Sequence, residues 1–206
     1  MSFKSANTRV DFSGYVPQTL INVNSPTQTL AWETTTQMPI PTGAVQGKRF
    51  YMSEALANQL SSATQTCHEG WYRIVQVDSG ATAANIAFGY IGAQLSVADG
   101  PDVVTDASHV LTLGADPVVF LGAVTPGNWT IVQDAGTATI AVTASQNVAV
   151  GDILYSTAAG TADVLATTST DITALLLTEI LAIALASSDS AYVALVPARL
   201  QPTFGE

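Results

Sequence analysis

Cys67, His68 and Glu69 stand side by side in "CHEG", the nearest approach in this chain to a reactive cluster. A thiolate, an imidazole and a carboxylate are a metal's donor types, but a tetrahedral site needs three or four ligands. No second Cys and no nearby His completes the set. If the triplet is extended, neighbouring side chains also point to opposite faces. His109, before "VLTL", reads as a strand or loop residue with a hydrogen-bonded ring. "DGPDVVTD" brings Asp99, Asp102 and Asp106 close together but lacks the spacing and closing Glu of a calcium loop, so it reads as a solvated acidic loop. Serine is plentiful without a G-x-S-x-G elbow, and no glycine-rich phosphate loop is present. "NWT" at 128–130 matches a glycosylation sequon, which without a secretory signal reads as accidental. The expectation is no catalytic, cofactor-binding or metal-ligating residue, no cofactor, and a chain that is not an enzyme.

Composition points the same way. Of 206 residues, 48% are hydrophobic and only 11% charged, against roughly 25% in an ordinary soluble domain. A large core can be built, but too few charges remain to solvate a whole surface, so part of the exterior is expected to be covered by partners. The net charge of −10 rests on six basic residues against 16 acids. No basic stripe exists to neutralise phosphates, which argues against nucleic acid and anionic membranes as partners. Cys67 is the single cysteine, so an intrachain disulfide is excluded. The first residues lack the apolar core of a signal peptide, and synthesis in a cytoplasm is expected. The longest apolar run, "ITALLLTEILAIALA" at 172–186, is shorter than the roughly 20 residues of a membrane-spanning helix and belongs in a core.

The elements that must position any surface divide the chain at about residue 40. Residues 1–40 carry Pro17, Pro26 and Pro39, with Pro41 adjoining, and large apolar residues at irregular spacing: Phe3, Phe12, Tyr15, Leu20, Ile21, Leu30 and Trp32. They fit neither the helical nor the strand period. This reads as an extended arm whose seven large residues are the candidate partner-binding anchors, lying either on its own domain or in a neighbour's groove. Residues 41–200 read as a β-rich domain and 201–206 as a tail.

Within the domain a strand at Arg49–Met52 leads to a short helix capped by Ser53, with Glu54 at its positive end. Strands are then expected at 71–77, 84–93, 109–113, 118–124, 129–133, 138–142, 152–156, 162–165, 177–186 and 191–196, nearly all bounded by Gly, Pro, Asp or Asn. For 172–180 helix and strand both stay open. "DAGTATI" at 134–140 and "AAGTADV" at 158–164 share Ala-Gly-Thr-Ala and read as two hairpins with Gly136 and Gly160 at positive φ. The fold class is mainly β, a barrel- or sandwich-like domain of short antiparallel strands with at most one or two short helices.

Four stretches carry a resemblance: "IPTGAVQGKRFYMSEA", "FLGAVTPGNWTIVQDAGTATI", "NVAVGDILYSTAAGTADV" and "ILAIALASSDSAYVALVPARL". Together they resemble the small decoration, or cement, proteins of tailed-bacteriophage heads. The matching positions are Pro41, Gly43, Lys48, Arg49, Phe50, Val148, Gly151, Asp152, Ile183, Ala184 and Leu185. "LAIALA" lacks the glycine usual before the Ala-Leu, and the arm has no counterpart. The resemblance implies a structural virion protein on the capsid exterior that stabilises the shell by bridging major capsid protein subunits, often as a homotrimer. The alternatives are another phage head or tail component, and a glycan-binding β-module with Trp71, Tyr72 and Trp129 as its stacking platform.

Overall fold

The computed structural model describes residues 49–61, 66–95, 103–106, 117–157, 159–165, 180–189, 192 and 194–200. The arm at 1–40 with its seven anchor residues, the tail at 201–206, Asp99, Asp102 and the strand expected at 109–113 lie outside them.

The fold is mainly β, as the turn-bounded pattern predicts. Its strands are β1 (Arg49–Met52), β2 (Gly70–Val77), β3 (Ile91–Gln94), β4 (Val103–Asp106), β5 (Pro117–Phe120) and β6 (Trp129–Val142). Then follow β7 (Asn147–Val148), β8 (Ile153–Ser156), β9 (Ala162–Val164), β10 (Ile180–Ala184), β11 (Ser188–Asp189) and β12 (Ala194–Leu200). A short helix, α1 (Glu54–Leu60), follows Ser53, and a 3-10 turn spans Ala83–Asn85.

The hydrogen bonding closes on itself twice. β2, β4, β3, β5 and β6 are neighbours in that order, and β6 returns to β2. β6, β12, β10, β8 and β9 form a second circuit, with β9 returning to β6. The result is two small barrels with one strand in common. The first half of β6 pairs with β2 and β5, the second half with β12. Closure removes most of the open edges that short strands would otherwise present. Each circuit contains one parallel junction, β2 with β4 and β6 with β9, where uniformly antiparallel strands were expected.

Directly paired residues share a face, so the register identifies the interiors. The first barrel encloses Val75, Val77, Val104, Val118, Phe120 and Val132. Phe120 lies over Gly92, where an added Cβ would come within 2.6 Å of its ring. The second barrel is lined largely by small residues, Ala138, Ala162, Ala182, Ala184 and Ala198, around Ile140 and Leu154. Ile91 and Val119, on the outside of the first barrel, pack into this second core and join the two.

Three expectations are corrected. The segments 129–133 and 138–142 are one strand, and Gly136 lies within it. Its φ of 101° is real but serves a mid-strand bend, beside a bulge in which Asp134 is the extra residue between the pairs Trp71–Ala135 and Tyr72–Gln133. Gly160, with φ 87°, does sit in the β8–β9 hairpin. Second, 84–93 is not one strand, because Gly89 at φ 78° redirects the chain before β3 begins. Third, the acidic stretch contains a strand, β4, and Asp106 is buried, accepting from Thr82 N at 3.0 Å and Asn85 Nδ2 at 3.2 Å. Two N–H donors satisfy a carboxyl group that solvent does not reach.

An added Cβ at Gly136 would meet Gly70 Cα at 2.8 Å, and at Gly160 would meet Asn85 O at 2.8 Å, whereas at Gly151 nothing described lies within 4 Å. All three have positive φ. Replacing Gly151 by Ala is expected to cost only the backbone strain, about 1–3 kcal/mol. Gly136→Ala and Gly160→Ala add a steric clash and should lower the urea midpoint further. Equal midpoints for the three variants would contradict the continuous path of β6.

Candidate functional site: two surface patches and a hydrogen-bonded corner

The described candidates make local hydrogen bonds. Cys67 is buried, and its backbone N–H is held by Ser61 Oγ at 2.9 Å. His68 supplies a carbonyl that accepts the Tyr72 hydroxyl at 2.5 Å. Glu69 accepts from the hydroxyl of Tyr51 at 3.2 Å, and its own N–H donates to Glu54 Oε2 at 3.2 Å. Among the described residues no group of three or more His, Cys, Asp or Glu could hold a metal ion. The sequon's Thr130 is buried on β6. His109 lies outside the described residues.

The glycan platform does not assemble as expected. Strand alternation puts Trp71 and Tyr72 on opposite faces of β2, and Tyr72 is completely buried, stacked with Phe50 at 6.1 Å. Burial pushes its phenol far above the usual range, against the weaker opposing effect of the hydrogen bond to His68. Trp129 is the first residue of β6.

The exposed aromatic pair is Tyr51 and Trp71, directly opposite on β1 and β2, with rings edge to face at 5.5 Å. The Arg49 guanidinium lies 5.0 Å over the Trp71 ring, within cation–π range. Beneath them the first barrel ends in a polar layer. Arg49 Nε meets Asp134 Oδ2 at 3.0 Å, Arg73 Nε meets it at 3.5 Å, and Arg73 Nη1 donates to Gln94 Oε1 at 2.6 Å. Burial raises the Asp134 carboxyl above the ordinary aspartate range, outweighing the two guanidiniums that act to lower it.

The second patch surrounds the Gly-Asp corner between β7 and β8. Gly151 has φ 92°, Asp152 Oδ2 accepts from Ala149 N at 2.7 Å, and Asp152 N donates to Ala149 O at 3.1 Å. The corner is tied to the end of β10: Gly151 N donates to Ala184 O and Ala184 N to Asp152 O, both at 2.9 Å. Leu185 N then donates to Pro197 O on β12. Val150 and Leu185 project to solvent beside it. Asp152 thus caps the turn.

No family model matches the chain, and no curated protein matches it. Among solved structures, the N base of the head fiber gp8.5 of bacteriophage phi29 is similar, at 16% identity and a TM-score of 0.41, over 66% of this chain and 98% of that one.

The Asp134 layer has a pH signature. A carboxyl whose folded pKa is raised contributes stability that is full below its unfolded pKa, about 3.9, and lost as pH rises through the folded value. Between pH 3 and pH 7 the stability of Asp134→Asn should therefore improve relative to the parent. Chemical denaturation at the two pH values measures this, and a shift in the opposite direction would show that the two arginines dominate.

Proposed function

We propose that this chain is a structural component of a tailed-bacteriophage head, and that it decorates the shell's exterior and cements it by bridging major capsid protein subunits. The observation that carries the reading is where the resembling residues meet. Val148, Gly151 and Asp152 come from one stretch of sequence and Ile183, Ala184 and Leu185 from another, and the two stretches are joined by paired backbone hydrogen bonds at the corner. Patches that are separate in sequence thus form one substructure, as a shared fold unit requires. A composition with so few charged residues suits an exterior that partners cover in part.

Cementing needs no reactive group. A binder that spans neighbouring shell subunits is bound only while they stay in place, so its binding free energy opposes their separation. The arm residues Phe3, Phe12, Tyr15, Leu20, Ile21, Leu30 and Trp32 are the proposed anchors, because an extended segment can add main-chain hydrogen bonds to a strand edge while its large side chains fill pockets.

A second reading has its own observation, the exposed Tyr51–Trp71 pair with Arg49 and Glu69 beside it. Aromatic faces flanked by charged hydrogen-bonding groups suit a sugar ring. Glycan-array binding that Trp71→Ala abolishes would favour it.

Cosedimentation of the full chain with tailed-phage heads assembled without decoration protein tests the first reading. Saturable binding and a raised temperature of head disruption are expected, and deletion of residues 1–35 should weaken retention on heating. A chain that neither binds heads nor raises that temperature is not a cement protein.

A further inference from the structure

The two barrels are the same unit twice. Numbering the strands of each circuit in chain order, the first is β2, β3, β4, β5, β6 and the second β6, β8, β9, β10, β12. Both close in the order first, third, second, fourth, fifth, with the parallel junction between first and third. Pairing registers agree as well. Ile91 opposite Val119 corresponds to Ile153 opposite Ile183, and Phe120 opposite Val132 to Ala184 opposite Ala198. The corner is repeated bond for bond: Gly89 N donates to Phe120 O and Phe120 N to Tyr90 O, as Gly151 N does to Ala184 O and Ala184 N to Asp152 O. Both glycines have positive φ.

Equivalent positions have different surroundings. In the first unit the corner sits on the second: Ala141 N donates to Gly89 O at 2.8 Å, and a Cβ on Gly89 would meet Ala141, Leu195 and Thr139 at about 3 Å. Ile91 and Val119 beside it are fully buried in the second unit's core, and Leu121 is 3% exposed. In the second unit Ile153 and Ile183 are half-buried, Leu185 is 41% and Val150 66% exposed, and nothing described lies within 4 Å of the Gly151 position. An apolar face that one copy of the unit buries against a barrel is thus left open on the other copy.

We propose that this face, Val150, Ile153, Ile183 and Leu185, is a self-association surface occupied by a second copy of the chain. The chain itself supplies the reason for this occupant, since the only context in which the equivalent face is covered among the described residues is another barrel of the same unit. A contact between unlike faces of identical chains closes into a ring or propagates, and a contact of the face with itself gives a two-fold dimer.

Sedimentation velocity of the full chain from 1 to 100 µM tests this. The parent is expected to be oligomeric, and Val150→Asp with Leu185→Asp should shift half-dissociation to at least tenfold higher concentration at an unchanged circular dichroism spectrum. Val150→Asp alone, on an exposed turn, keeps the test open should the double variant fail to fold, with a smaller shift of the same sign. A parent that is monomeric throughout the range overturns the proposal, as does an oligomer that neither variant weakens. Loss of head binding in the variants of a monomeric parent would assign the face to the shell, and also overturns it.

Discussion

Gly70 and Gly136 face each other across β2 and β6 with no side chain between them, and this close approach lets one strand serve two barrels. A Cβ on Gly70 would come within 2.4 Å of Ala135 O, and one on Gly136 within 2.8 Å of Gly70 Cα. Beside this point β6 carries its bulge, and the regular ladder is replaced by side-chain bonds. The buried Gln133 amide donates to Thr137 O at 2.6 Å and to Ala135 O at 3.4 Å. Asp134, turned out of register by the bulge, collects Arg49 and Arg73. The polar layer at the end of the first barrel is thus a consequence of the bend that starts the second.

The shared strand also explains the composition. A closed circuit of five short strands has a narrow interior, and side chains must be chosen to fill it without strain. The first barrel solves this with one aromatic ring over a glycine, Phe120 on Gly92, among valines. The second uses alanines, leaving room for Ile140 and Leu154. Each fully buried large side chain is worth about 1.5–3 kcal/mol, so neither interior alone supplies much. Ile91 and Val119 cross from the outside of one barrel to the core of the other and make a single larger core of both, as small domains need.

Local chemistry was legible in the sequence where a residue answers to its own neighbours. Turn-bounded runs marked β1, β5, β8, β9 and β12, and Gly160 marked its hairpin. What could not be read locally was set by residues distant in sequence. Gly136 carries the same Ala-Gly-Thr-Ala signal as Gly160, yet it lies in a strand because β2 and β12 hold its two flanks. Asp106 looked solvated until Thr82 and Asn85 were brought to it. The expected platform groups Trp71 with Tyr72 although strand alternation parts them, and it took β1 to show that the exposed partner of Trp71 is Tyr51. The parallel closures, β2 with β4 and β6 with β9, have no local signature.

The duplication bears on how a chain without a reactive cluster among its described residues can act. Repeated units stack by burying on a neighbour the face that a lone unit cannot bury, and the terminal unit is the one left with that face uncovered. Natural arrays end in a polar cap, whereas here the second unit keeps Val150 and Leu185 at its corner where a cap would carry charge. Its Asp152 is turned into the turn itself, accepting from Ala149 N, and does not make the face polar. An exposed apolar face carries a solubility cost that a net charge of −10 offsets by mutual repulsion until a complementary surface is met. Covering the face with a second copy of the chain, as proposed above, removes that cost.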